Sequence, residues 1–157
     1  MPEPAKLDTH SRKILELLQR DATLTVDEIS QQVGLSRSPV WNRIRDMERS
    51  GVIRGRVALV DPKALGFGQT VYVTLTTKRH DLDWLERFSA LVRKIPEVVS
   101  FYRMAGELDY MLKVVVRDVS DYDRIYKRLI ELDGLNTVSA HFAMEEIKST
   151  TQIPTEP

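Results

Sequence analysis

Apolar residues recur at helical spacing through the first sixty positions. Ile14, Leu15, Leu17 and Leu18 form a stripe in a segment that Asp8 is placed to cap. Thr25-Val26-Asp27-Glu28 has the Thr-x-x-Glu form of a capping box. The helix it opens carries Val26, Ile29 and Val33 on one face and stops at Gly34, which suits a left-handed C-cap. Ser36 is placed to cap a third helix, with Pro39 tolerated in its first turn and Val40, Ile44 and Met47 facing inward at i, i+4, i+7. Two helices joined by a short glycine-containing turn predict a helix-turn-helix, and the first helix completes a three-helix core. After Gly51, the stretch Val52–Val60 places Arg54-Gly55-Arg56 between β-branched segments, which predicts a two-stranded wing with a basic tip.

The pattern then changes period. Residues 61–69, with Asp61-Pro62 and Gly66-Phe67-Gly68, are rich in turn formers and predict a hinge. Beyond it the chain predicts a strand at Val71–Thr77, a helix at Leu82–Ile95, strands at Val98–Met104 and Asp109–Val116, a helix at Val119–Leu132 and a last strand at Val138–Ile147. Leu85, Phe88, Leu91, Val92 and Ile95 form the inward stripe of the first of these helices, and Tyr122, Ile125, Tyr126 and Leu129 that of the second. The order βαββαβ is that of a ferredoxin-like unit. The fold class is therefore α+β: a winged helix-turn-helix over 1–60, a hinge over 61–69, and a ferredoxin-like domain over 70–157. Both helices on one face leave the other sheet face bare, and covering it with a second copy predicts a homodimer.

Charge sharpens the picture. The 157 residues carry 23 basic and 23 acidic side chains, yet positions 37–56 hold six arginines against Asp46 and Glu48. The zero sum conceals a local basic patch. Arginine presents a planar fork that suits phosphate and guanine. The plain alternative is a solvated helix laced with ion pairs. It loses weight because the run falls on the third helix of a helix-turn-helix. Ser38, Asn42, Arg45 and Arg49 lie opposite the apolar stripe, where a recognition helix meets base edges in the major groove. Trp41 flanks them, placed either to pack on thymine methyls and sugars or to shield the flank of the first helix. Arg54 and Arg56 would meet backbone or minor groove. The complete DNA-facing set is Thr25, Ser36, Arg37, Ser38, Pro39, Trp41, Asn42, Arg45, Arg49, Arg54 and Arg56.

With no cysteine, the chain has no disulfide, thiol nucleophile or cysteine-ligated metal. His10, His80 and His141 show no metal-ligand spacing, so no metal and no cofactor are expected. Apolar runs such as Val114-Val115-Val116 are far shorter than the roughly 20 residues of a membrane span, and Met1-Pro2-Glu3-Pro4 does not open a signal peptide. A soluble cytoplasmic protein that does not engage membranes is the expectation.

The arrangement resembles the leucine-responsive/AsnC (Lrp/AsnC) family of bacterial and archaeal transcription regulators. The matching pieces are Leu7-Asp8 with Ile14-Leu15, Val33-Gly34-Leu35-Ser36, Arg43-Ile44-Arg45 with Met47-Glu48, and Gly51-Val52-Ile53. Further matches are Ala58-Leu59-Val60-Asp61-Pro62, Gly106-Glu107-Leu108-Asp109-Tyr110 and Met144-Glu145-Glu146-Ile147-Lys148. The resemblance implies a regulator of double-stranded DNA whose second domain binds a small effector, usually an amino acid, in clefts where dimers meet. By position, Met104, Ala105, Gly106, Glu107, Leu108 and Asp109 would line that cleft, with Tyr102, Val119, His141, Phe142 and Ala143 around it. Asp109 would meet the α-ammonium, its alternative being a structural turn aspartate, and N–H groups near Gly106 would meet the carboxylate. Tyr110 is expected in the core. The implied assembly is a homodimer joined into tetramers or octamers. Two other readings remain: an architectural protein that bends DNA, and a tetrapyrrole decarboxylase of the same architecture, for which only His141 is near the expected cavity.

Overall fold

The computed structural model describes residues 6–156. The chain divides into two compact units, one running to Leu59 and resumed from Lys148 onward, the other spanning Val60–Ile147. Each is built around its own apolar cluster.

The first unit holds three helices, α1 (Thr9–Arg20), α2 (Val26–Val33) and α3 (Arg37–Arg49). Their ends are set by local chemistry. Asp8 accepts from the Ser11 N–H at 2.7 Å and so caps α1. Thr25 and Glu28 form the reciprocal capping box of α2. Gly34 ends α2 in the left-handed region at φ 69°. Ser36 stands at the N-cap of α3, but its hydroxyl makes no capping bond. Ile14, Leu18, Ile29, Val33, Val40, Ile44 and Met47 bury together at the centre. Residues 54–60 form no helix or strand, so the expected two-stranded wing is absent from the described residues. Arg54-Gly55-Arg56 supplies little apolar surface to hold a hairpin closed, and Val57, Leu59 and Val60 remain exposed.

The second unit is a four-stranded antiparallel sheet with two helices. In chain order these are β1 (Gln69–Thr77), α4 (Leu82–Arg93), β2 (Val98–Arg103), β3 (Tyr110–Val116), α5 (Val119–Leu129) and β4 (Leu135–Phe142), with sheet order β2-β3-β1-β4. The order βαββαβ is the one expected. The last strand stops at Phe142, earlier than its sequence pattern suggests, and Met144 and Ile147 are exposed beyond it. Val71, Val73, Leu75, Leu112, Val114 and Val116 alternate onto the helix-covered face and meet Phe88, Val92, Ile125 and Leu129. The other face carries Tyr72, Thr74, Ser100, Tyr102, Met111, Lys113 and His141, register partners across the strands. Hinge residues Lys63–Leu65 form a 3₁₀ turn within this unit.

Trp84, fully buried, donates its indole N–H to the Asp133 carbonyl at 2.7 Å and stacks on Phe88. Next to it, Gly134 has φ +106°, and a Cβ there would lie 2.8 Å from the indole nitrogen. Backbone strain and contact with a packed ring act together at this position. Gly134→Ala is therefore expected to destabilise the second unit by about 2 kcal/mol. Urea unfolding followed by Trp84 fluorescence checks this, and an unchanged midpoint would contradict it.

Candidate nucleic-acid interface and effector site

α3 buries Val40, Ile44 and Met47 and leaves Ser38, Asn42, Arg45 and Arg49 exposed on the opposite side. The arginines in and beside this helix divide by partner. Arg43 is turned inward: its Nη2 donates to the Asp8 carboxylate at 2.8 Å, and its Nε is buried without a hydrogen-bond partner. Arg37 pairs with Asp27 of α2 at 2.6 Å, Arg49 with Asp46 at 2.9 Å, and Arg56 with Glu48 at 3.3 Å. These last three pairs are exposed, so each costs little to exchange for a phosphate. The Arg45 guanidinium lies 4.3 Å from the centroid of the Trp41 ring. Trp41 thus serves as a platform for Arg45, a third role beside the two its sequence position suggested.

Among the remaining DNA-facing candidates, Ser36, Arg54 and Asn42 are exposed and Pro39 is half-buried. Thr25 is exposed, but its hydroxyl bonds Glu28 at 2.7 Å within the capping box. A phosphate approaching α2 would compete with that bond.

In the second unit the turn Met104–Asp109 joins β2 to β3. Gly106 within it has φ +115°, a conformation that favours glycine. Asp109 stitches this turn to β1: its N–H donates to the Leu75 carbonyl at 3.0 Å and its Oδ2 accepts from the Thr77 N–H at 2.8 Å. Its Oδ1 stands 3.8 Å from His80 Nδ1. The carboxylate therefore has a structural duty, with one oxygen left toward His80. Tyr110 is buried against Trp84, Phe88 and Phe101, and that burial raises its phenol above the ordinary value.

The remaining effector candidates lie elsewhere. Leu75 pairs with Tyr110, which places the turn at the C-terminal end of β1. Phe142 and His141 pair with Val71 and Tyr72 at its beginning, and Ala143 bonds Thr70. Val119 follows β3, whose Val116 pairs with Gln69 at that same beginning. Six residues of strand, roughly 20 Å, separate the two groups. One chain does not bring Met104–Asp109 together with Val119 and His141–Ala143. Phe142, moreover, packs edge-on against Tyr122, and His141 lies 3.3 Å from the Thr74 hydroxyl on the open sheet face.

Two pieces escaped the sequence reading. Trp84 anchors α4 in the core. Glu97 is held by Arg124 at 2.7 Å, which lowers the Glu97 carboxyl below its ordinary value. Neither falls within a motif. Among the described residues no helix is long and apolar enough to cross a membrane.

Residues 7–54 match the family model for a winged helix-turn-helix DNA-binding domain, and residues 70–153 match that of the Lrp/AsnC ligand-binding domain. The chain belongs to the Lrp/AsnC family of transcription regulators. It is 49% identical over 95% of its length, and 91% of the relative's, to the glutamate uptake regulatory protein of Zymomonas mobilis. An AsnC-family regulator from Agrobacterium tumefaciens superimposes with a TM-score of 0.90 at 51% identity, covering 94% of this chain and 97% of the other. A Neisseria meningitidis regulator, solved as a complex with L-methionine, also gives 0.90 at 34% identity, covering 96% and 98%. As an Lrp/AsnC regulator, the chain pairs a DNA-binding helix-turn-helix with a ligand-binding domain.

Asp8 both caps α1 and holds Arg43. The Arg43 hydrogen bond, followed by those from Ser11, keeps its carboxyl well below the usual range. A depressed acid contributes stability above its unfolded value, about 3.9, and the contribution fades as pH falls toward the folded value. Asp8→Asn keeps a capping acceptor but loses the charge, and should cost about 1 kcal/mol at pH 7. In urea titrations followed by circular dichroism, that deficit should shrink progressively below pH 4; a deficit independent of pH would contradict the assignment.

Proposed function

We propose that this regulator reads operator DNA with α3 and that its affinity for DNA responds to an amino acid bound between copies of the chain. The observation that carries the DNA half is the orientation of α3: an apolar face buried, Arg43 spent internally, and Arg45 held on Trp41 with no carboxylate partner among the described residues. Arg45 is then free to donate to guanine O6 and N7, and Asn42 to pair with adenine. Arg37, Arg49, Arg54 and Arg56 exchange weak surface partners, or water, for phosphate, and release counterions as they do so. Such a protein works in the cytoplasm, where bacterial DNA lies.

The effector half rests on the split of the candidate residues between the two ends of the sheet. A site containing both groups requires a neighbouring copy, which supports the clefts between dimers that the family resemblance implies. In that setting Asp109 Oδ1 meets the α-ammonium and N–H groups near Gly106 meet the carboxylate. The methionine complex of the Neisseria relative favours a free amino acid as the ligand class. The open sheet face, with Tyr72 and Tyr102 exposed, is covered by a second copy, and dimers join into tetramers or octamers. An effector that fits one assembly better than another shifts the spacing of the paired α3 helices, and with it the match to half-sites about one helical turn apart.

Base reading and phosphate contact are separable by experiment. Arg45→Ala should flatten base preference at one operator position by about 1–3 kcal/mol, while Arg54→Ala weakens all sequences alike and lowers the salt slope by about one. Gel-shift titrations over operator variants and salt concentrations check both, and indistinguishable profiles for the two variants would refute the division. For the effector site, Asp109→Asn preserves an acceptor for the Thr77 N–H and removes the charge. Thermal-shift assays across the amino acids should find a ligand that stabilises the natural protein and fails to stabilise Asp109→Asn. Equal shifts for both proteins would remove Asp109 from the site.

A further inference from the structure

The segment from Lys148 onward has no helix or strand of its own, yet it groups with the DNA-binding unit rather than with the sheet from which it emerges. Among the described residues, three hydrogen bonds join it to two side chains of α1. The Gln19 amide nitrogen donates to the Ile153 carbonyl at 2.9 Å, and the Ile153 N–H donates to the Gln19 Oε1 at 2.7 Å. Arg12 donates to the Thr155 carbonyl. Gln19 and Arg12 stand seven positions apart, on one face of the helix. Ile153 and Thr155 stand two apart in the segment, and the carbonyl of each accepts from α1.

The pair at Gln19 has the form of a strand pairing. One primary amide satisfies both the donor and the acceptor of a single residue, as a neighbouring strand would. The recognition goes through the backbone, since the Ile153 side chain is 69% exposed and contributes little burial. A shallow concavity lined by Thr9, Arg12, Lys13, Glu16, Thr155 and Glu156 continues the contact toward the start of α1.

From this geometry we infer that the outer face of α1 is a docking surface for a chain segment recognised through its backbone, and that its occupant is the C-terminal segment 148–156 of the same molecule. The DNA-binding unit is thereby tied to the ligand-binding unit by two chain connections, at residues 59–60 and 147–148, and not by the first alone. The second connection lasts only while the docking holds. The docking does not depend on the assignment of the effector or of the DNA contacts, and can fail without them.

Hydrogen exchange of the full chain, read at residues 150–156, tests this directly. The Ile153 amide should exchange at least about tenfold more slowly than an unstructured amide. Gln19→Ala should erase that protection, and Gln19→Glu, which keeps the acceptor and loses the donor, should retain part of it. Ile153→Ala should leave the protection of residue 153 in place, because the side chain is not what is recognised. Unprotected exchange in the natural protein, or protection that survives Gln19→Ala, would overturn the inference. Protection that vanishes on dilution would also overturn it, since the segment would then belong to a second copy.

Discussion

The first unit depends on the hydrogen-bonded ion pair between Asp8 and Arg43. Arg43 lies on α3 between the buried positions and the exposed ones, with its Nε out of contact with water or acceptor. A guanidinium in that position is costly unless its remaining donors are satisfied, and Asp8 at the mouth of α1 satisfies one. The same carboxylate caps α1. One acidic residue thereby fixes where α1 begins and how α3 is rotated about its axis. The rotation decides which side chains face outward, so Arg45, Asn42 and Arg49 are presented together as a consequence of packing. The neutral net charge of the chain is compatible with DNA binding for the same reason: most acidic partners of these arginines are surface residues that water and salt already weaken.

In the second unit the comparable constraint is Asp109, whose backbone and side chain both bond β1. It closes the β2–β3 turn against the sheet and leaves a single oxygen toward His80 and solvent. The structural duty and the proposed ligand contact are compatible in one carboxylate because its two oxygens point to different neighbours. The other positions implied by family resemblance lie a strand's length away. On the proposed reading, a ligand site drawing on both ends of the sheet requires an assembly, and the open face with its tyrosines is the surface proposed for it.

What was legible in the sequence was mostly local. The caps at Asp8 and Thr25, the glycine stop at Gly34 and the order βαββαβ follow from neighbours within four or five positions, where spacing and side-chain chemistry suffice. The apolar stripe of α3 sorted Val40, Ile44 and Met47 from Ser38, Asn42 and Arg45 correctly for the same reason. Trp84 escaped because the inward stripe of α4 was begun one position later, at Leu85, and its partner carbonyl at Asp133 is 49 positions away. The wing was expected from β-branched residues alone, but pairing needs a partner that residues 54–60 lack. Gln19 and Ile153 are 134 positions apart, and the Gln19 amide meets only the backbone of Ile153, which leaves no trace in the residue type at 153. The two ends of the effector set look contiguous in a family pattern because such a pattern carries no record of distance along the sheet.

The central claim is that a ligand held by the sheet unit alters how α3 engages DNA. It is tested most directly by titrating an operator fragment with the full-length protein, by fluorescence anisotropy, in the absence and presence of each amino acid at fixed salt. At least one amino acid should move the midpoint about fivefold or more, the size of a coupling near 1 kcal/mol, in either direction. A midpoint that stays constant across all of them would contradict the account.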